Sequence, residues 1–325
     1  MSWNDVIGHE TVKRLLTAHL KTGRVANAYL FAGREGIGKR RLALEMAKAL
    51  NCEARTEEGP CDACSSCTQM ARRVHPDLHV LIPTGASEQI SIDTIRHMLS
   101  RVALRPYRAK VQVVLLNGAE RLTEEAANSV LKTLEEPSAT TCFLLITSQV
   151  SACLPTIVSR CQLLACSPLP AEAVERILIS HETDPKIASE VAQLSDGSVS
   201  RALELAERWT DRQPILARCA SETASAWLDE PLPETRQEVD VLLEEMIGWL
   251  RDVAVAASGG PSLIAHTQHL EALNRQAKSL PVDRCARTAF ELMQLRDSLE
   301  QFVSPKLVAS LAREHWLILM KATHV

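Results

Sequence analysis

The stretch Gly33-Arg34-Glu35-Gly36-Ile37-Gly38-Lys39-Arg40 decides the fold. Before it, Tyr29-Leu30-Phe31-Ala32 is apolar and strand-like; after it, Leu42, Met46, Ala49 and Leu50 recur at helical spacing within Arg41 to Leu50. The Gly-x4-Gly-Lys spacing is common enough to arise by chance, so the strand before it and the helix after it are what identify a phosphate-binding loop. Gly33, Gly36 and Gly38 let backbone N–H groups close around phosphate oxygens, the helix N-terminus adds a favourable dipole, and Lys39 reaches the terminal phosphates of ATP or ADP. One working part is missing. Where the motif wants Ser or Thr to hold Mg²⁺, the chain has Arg40, which offers no metal ligand and sets a second positive charge beside Lys39. Nucleotide binding is compatible with that change; metal-assisted hydrolysis is not expected.

A second gap lies further along. In a phosphate-loop ATPase a later strand ends in acidic residues that hold Mg²⁺ and polarise the attacking water. Here Val113-Val114-Leu115-Leu116 runs into Asn117-Gly118, and the nearest carboxylate, Glu120, is displaced past the strand end and so redirected. Both metal-holding devices are absent from one site, which points to a scaffold that kept the fold and lost the reaction.

The remaining composition bounds the protein class. At 325 residues, 46% hydrophobic and 23% charged, the chain is long enough for two or three globular domains. The net charge of −4 announces no global basic field for nucleic acid. No apolar run reaches the length of a membrane span and Met1-Ser2-Trp3-Asn4-Asp5 does not open a signal peptide, so a cytoplasmic protein is expected. In such a compartment clustered cysteines read as metal ligands rather than disulfides. Cys52, Cys61, Cys64 and Cys67 offer four thiolates within sixteen residues, with Gly59-Pro60 bending the chain before the compact triplet. Zinc in a closed, structural tetrahedron is the expected occupant, with an iron–sulfur cluster or unligated thiols as alternatives. His75 and His79 are not needed as ligands and read as partly buried structural histidines.

Residues 1 to 166 alternate helical and strand-like segments, with apolar runs at Tyr29–Ala32, Leu78–Ile82, Val111–Leu116, Cys142–Thr147 and Gln162–Cys166, which predicts a parallel sheet covered by helices. Pro168 and Pro170 open a small helical unit with helices at Ala171–Ser180, Lys186–Leu194 and, after the turn Asp196-Gly197-Ser198, Ser200–Trp209. Beyond Pro231 and Pro233 the pattern is helical, with Val239, Leu242, Leu243, Met246, Trp249, Leu250 and Val253 on one face and Gly259-Gly260-Pro261 as a stop. This last third carries no chemical motif and reads as a packing or assembly module.

From Ile7-Gly8 to about Leu205 the chain resembles the clamp-loader branch of the AAA+ proteins. Leu131-Lys132-Thr133-Leu134-Glu135-Glu136-Pro137 looks like the clamp-loader helix end, and Ser159-Arg160-Cys161 like the family's arginine-finger motif. The cysteines resemble its zinc module, Gly197-Ser198-x-x-Arg201 its second sensor, and Thr147 stands at the first sensor, with Ser148 in place of the usual Asn. The resemblance implies an α/β AAA+ type phosphate-loop domain with a zinc module at 52–67 (residues 1–166), a small helical lid (167–210) and an all-α collar (211–325). It implies a non-catalytic, stator-like subunit that works beside motor ATPase and delta-like subunits, touches primer–template DNA and the sliding clamp through the complex, and lends Arg160 to a neighbour's γ-phosphate. Two other functions compete: a motor ATPase using Lys39 with unorthodox metal ligands, and a zinc-dependent nucleic-acid-binding module whose phosphate-contacting face is Arg72, Arg73, Arg101, Arg105, Arg108 and Lys110.

Overall fold

The computed structural model describes residues 3, 6–56, 59–84, 88–136, 138, 140–221, 223, 225–260, 263–299 and 303–321. Pro137 and Pro261, which close two of the motifs above, lie outside them. Five parallel strands form one sheet in the order β2-β3-β4-β1-β5: β1 (Ala28–Ala32), β2 (Leu78–Leu81), β3 (Gln112–Asn117), β4 (Thr141–Thr147) and β5 (Gln162–Ala165). The central strands read as unbroken apolar runs because both sheet faces are covered. Tyr29, Phe31, Val113, Leu115, Cys142, Leu144 and Ile146 enter one core; Leu30, Val114, Leu116, Phe143 and Leu145, each one residue out of phase, enter the other. At about 1.5–3 kcal/mol for each large buried side chain, these alternating sets fix the register firmly.

On the first face lie α1 (Glu10–Thr22), through Val12, Leu16 and Leu20, and α2 (Lys39–Asn51), through Leu42, Ala43, Met46 and Leu50. The short α3 (Ser65–Ala71) adds Met70. The second face carries α4 (Ile92–Val102), α5 (Glu124–Glu135) and α6 (Pro155–Val158). Ser91 and Thr123 cap α4 and α5 by accepting from backbone N–H groups one turn on, which satisfies donors the helix leaves free. The expected α/β fold class is present, a parallel sheet covered by helices on both faces and followed by a helical part.

Contacts divide the chain into two compact units, Met1–Ile177 with Asp196–Arg201, and Leu178–Ser195 with Ala202–Val325. Helices α7 (Ala171–Ser180), α8 (Pro185–Leu194) and α9 (Val199–Glu207) follow the sheet. Trp209 was expected to finish the third of these. Instead the backbone leaves helical geometry at Arg208 and Trp209 begins a separate helix, α10 (Trp209–Ala220). The second unit continues with α11 (Ser225–Leu228), α12 (Arg236–Ala257), α13 (Leu270–Ser279), α14 (Val282–Ser298) and α15 (Pro305–Lys321). A full capping box between Thr235 and Glu238 starts α12, and its apolar face, with the seven residues expected there, forms the centre of that unit's core. Among the described residues no helix is long and apolar enough to cross a membrane.

Candidate nucleotide site and cysteine cluster

The glycine-rich loop leaves β1, the strand flanked by β4 and β5, and its start is tied to both neighbours. Gly33 N–H donates to the Thr147 carbonyl at 3.3 Å, and Cys166 N–H donates to the Ala32 carbonyl at 2.7 Å. A Cβ on Gly33 would stand 2.2 Å from the Cys166 carbonyl oxygen, so no larger residue fits without moving the β5 end. Gly36 has φ 76 and faces the start of α9: the Val199 N–H donates to its carbonyl at 2.9 Å, and an added Cβ would meet Ser198 Oγ at 2.1 Å. The Gly197–Ser198 turn is therefore built into the loop wall. Arg201, the expected second sensor, pairs with Asp196 at 3.3 Å on a half-exposed surface.

Lys39 opens α2 and is 6% exposed. Its Nζ donates to the Gly33 and Arg34 carbonyls at 2.5 Å, within its own loop. Burial pulls its pKa below the ordinary lysine value, opposed by Cys166, Glu120 and Glu35. Arg40 follows it, half-buried, its pKa lowered by burial and by the charge of Arg73. No hydroxyl stands at that helix position. Asn117 ends β3, and Gly118 turns into a single 3₁₀ turn, Ala119–Arg121.

Glu120, discounted in the sequence because of its offset, organises the neighbouring strand end. Its Oε1 accepts from Ser148 N at 3.1 Å and Ser148 Oγ at 2.6 Å. Burial opposes ionisation, but the Ser148 donors and Thr147 outweigh it and hold the carboxyl below its usual range. Ser148, at the position where the family has Asn, is thus a fixed donor to this carboxylate. Thr147 is fully buried and its Oγ1 accepts from Gln149 N at 3.1 Å. A further residue that no motif marked is His9, whose Nε2 lies 2.7 Å from the Ile37 carbonyl and whose pKa burial lowers.

Arg160 stands away from this loop, just past α6. Its Nη2 donates to the Glu135 carboxylate at the end of α5, and its Nη1 donates to the Thr156 carbonyl at 3.0 Å and to Ser159 Oγ at 3.3 Å. The guanidinium is partly exposed and its fork is aimed by three partners.

The four cysteine sulfurs all lie within 4.8 Å of one another. Tetrahedral zinc at 2.3 Å from each sulfur asks for sulfurs roughly 3.8 Å apart, so the group fits a metal with small closure. Backbone N–H groups of Cys61, Cys64 and Cys67 point at Cys52, Cys61 and Cys64 sulfurs at 3.2, 3.3 and 3.4 Å, which favours thiolates. The N–H groups of Cys64 and Ala63 lead in bringing the Cys61 thiol down to about 6. No open position would remain on a metal held by all four, so it would brace the loop. The loop is anchored from α2 as well: Lys48, 1% exposed, donates to both Glu45 oxygens at 2.8 Å and pairs with Asp62 between the cysteines. Burial raises the Glu45 carboxyl despite Lys48, whereas the two carboxylates raise the Lys48 ammonium despite burial. The latter shift matches the geometry better, since Nζ faces both acids.

A parallel sheet with a glycine-rich loop after its first strand, that strand flanked on both sides and the loop followed by a helix, is the architecture of a phosphate-loop domain. The chain belongs to the DNA polymerase III, delta subunit family, whose profile matches residues 8–170. Subunit delta′ of Bacillus subtilis is 36% identical over 207 residues, 63% of this chain and 61% of that protein. Subunit delta′ of Pseudomonas aeruginosa is 38% identical over 222 residues, 64% of this chain and 67% of that one. Subunit tau of Escherichia coli is 34% identical over 212 residues, 63% of this chain and 32% of that protein. The match thus spans less than two thirds of the Bacillus subtilis relative.

Proposed function

We propose that this chain is a non-motor, stator-like subunit of a bacterial DNA polymerase III clamp loader, which helps load the sliding clamp on primed DNA and lends Arg160 to the ATP site of a neighbouring motor subunit. The observation that carries this reading is the pair of residues at the metal-holding positions, Arg40 at the start of α2 and Asn117 at the end of β3. Neither supplies the hydroxyl or the carboxylate by which a phosphate-loop ATPase holds Mg²⁺ and polarises water. Names of relatives support the same reading, since two are delta′ subunits and the third is a tau subunit of the same polymerase.

On this reading residues 1–166 form the ATPase-like domain, 167–210 the lid and 211–325 the collar that meets the motor and delta-like subunits. Zinc sits on Cys52, Cys61, Cys64 and Cys67; ATP or ADP, when bound by Gly33, Gly36, Gly38 and Lys39 with Thr147 and Arg201 as sensors, is held without turnover. The protein works in the cytoplasm, and its contacts with DNA and the clamp are made through the assembly. The test is reconstitution with purified clamp-loader partners, reading DNA- and clamp-stimulated ATPase with and without this chain. Stimulation that needs the chain although the chain alone is inactive supports the reading; a ring of full activity without it overturns it.

A further inference from the structure

Among the described residues no strand lies on the outer side of β2, and a groove of about 650 Å³ runs there between β2, the segment before it and α4. Its volume falls in the range of ligand sites. Arg73 and Arg101 stand on its rim, His75, His79 and His97 line it, and no carboxylate does. The four cysteines form the one metal-sized cluster of donors among the described residues, so these histidines are not a metal site.

His75 supplies a directed donor. It is 3% exposed, its Nδ1 accepts from the Asp77 N–H at 3.1 Å, and its Nε2 has no partner. A ring that accepts through Nδ1 while neutral carries its proton on Nε2. Burial, with Arg108 nearby, holds the His75 pKa below its ordinary value, which keeps the ring in that neutral form. His79 Nε2 is likewise buried and unpartnered, with Arg101 and His97 close by. An acceptor-rich anion would satisfy these groups, which have no other partner.

The adjoining loop narrows the ligand. Asp77, in the segment leading into β2, accepts from the N–H groups of Tyr107, Arg108 and Ala109 at 2.7, 2.8 and 2.7 Å, fixing that loop to the groove wall. Tyr107 is thereby held 85% exposed between Arg105 and Arg108, both exposed. Among the described residues Arg73, Arg101, Arg105 and Arg108 have no ion pair. Lys110, in contrast, is turned toward the Cys52 carbonyl at 3.4 Å and drops out of the basic face the sequence suggested. An exposed ring on an anchored backbone, among arginines without ion pairs, offers a stacking platform beside a phosphate track.

We propose that the groove along β2 binds single-stranded nucleic acid, its phosphodiester backbone held by Arg73, Arg101 and the His75 Nε2–H and one base stacked on Tyr107. This site is separate from the glycine-rich loop and does not depend on the ring reading above.

The experiment uses the full chain and a fluorescein-labelled oligothymidylate of twenty nucleotides, read by anisotropy across a salt series. R73A/R101A should weaken binding at least tenfold at 50 mM salt and flatten the log–log salt slope by about 1.4, two phosphate contacts of a single strand. Y107A should weaken it about fivefold or more. All replaced side chains are surface-placed, and circular dichroism confirms the fold. The control pair R284A/R287A, on an exposed face of α14, removes the same charge and should leave the affinity within twofold. The proposal fails if the groove variants bind the strand as the unaltered chain does, or if the control pair loses as much. It also fails if inorganic phosphate or a polyglutamate of equal length binds the groove and the oligonucleotide does not.

Discussion

The Arg160 guanidinium donates to the Glu135 carboxylate, so the two most specific motifs of the sequence, Ser159-Arg160-Cys161 and the helix end at Leu134-Glu135-Glu136, meet in one ion pair. Side-chain exposures of 33% and 48% leave both groups open to water. An exposed pair contributes little to stability, about 0–1 kcal/mol, and is easily exchanged for a stronger anion. In the role proposed above, Glu135 would be the group that aims Arg160.

Arg160→Ala should therefore leave unfolding within about 1 kcal/mol of the unaltered chain while lowering the ATPase of a reconstituted assembly. A trans arginine acting alone gives roughly 10³- to 10⁵-fold, but with one site among several the bulk loss should be partial. Lysine should rescue poorly, having the charge without the planar fork. Size exclusion and steady-state ATPase on the same samples are the measurements, and full activity in an intact assembly returns Arg160 to a surface ion pair.

The isolated chain should hydrolyse ATP no faster than its Lys39→Ala variant, because Arg40 offers no metal ligand and Asn117 no carboxylate to polarise the attacking water. A phosphate-release assay on both proteins decides this, and turnover lost specifically in the variant refutes it.

One zinc per chain is expected, and Cys64→Ser should reduce it while the sheet stays folded, since the cluster braces a loop. Lys48→Ala tests the same loop from α2. It removes the buried ammonium that Glu45 and Asp62 share, and the loss should be about 3–5 kcal/mol of unfolding free energy. Metal analysis and urea unfolding are the readouts; iron in place of zinc contradicts the first expectation, and an unchanged midpoint the second.

A buried charge network in the second unit should make its stability pH-dependent. His266 lies between Asp252 (Nδ1 to Oδ2, 2.8 Å) and Glu245 (Nε2 to Oε2, 3.5 Å), with Arg212 on Glu245 and Arg251 on Asp252. Burial alone would lower the His266 pKa, but Asp252 and Glu245 raise it above 6.5. The stabilisation is thus complete below the unfolded value and is lost as pH rises through the folded one. Glu245 and Asp252 are shifted down, against burial, by His266 and its neighbours, so their share is lost at the acid end. Glu190 and His269 also feel the imidazolium. The difference between the unaltered chain and His266→Gln, followed by fluorescence of Trp209, Trp227, Trp249 and Trp316, should shrink as pH increases above 6.5. A difference constant with pH would contradict a charged His266.

What the sequence made legible was local. β1, the glycine-rich loop and the cysteine triplet each declare themselves within a dozen residues, because strand period, glycine placement and ligand spacing are short-range properties. The partner of Glu120 was not legible, because Ser148 follows a different strand and no spacing rule says which way a side chain turns out of a 3₁₀ turn. The same holds for Lys110, exposed by composition yet turned to the Cys52 carbonyl, and for His75, whose free nitrogen is known only once Asp77 N–H is placed against the other. The break at Arg208 escaped notice because the apolar periodicity of α9 continues into α10.

The sheet order has a consequence for how the chain is made. β1 pairs with β4 and β5 alone, Ala28 lying opposite Phe143 and Tyr29 opposite Gln162. On a ribosome the strand that carries the glycine-rich loop is synthesised early and stays without a neighbour until those late strands emerge. The cysteine cluster needs nothing beyond residue 67, so it can close while β1 is still unpaired and hold α2 to its loop through Lys48 and Asp62 during the wait.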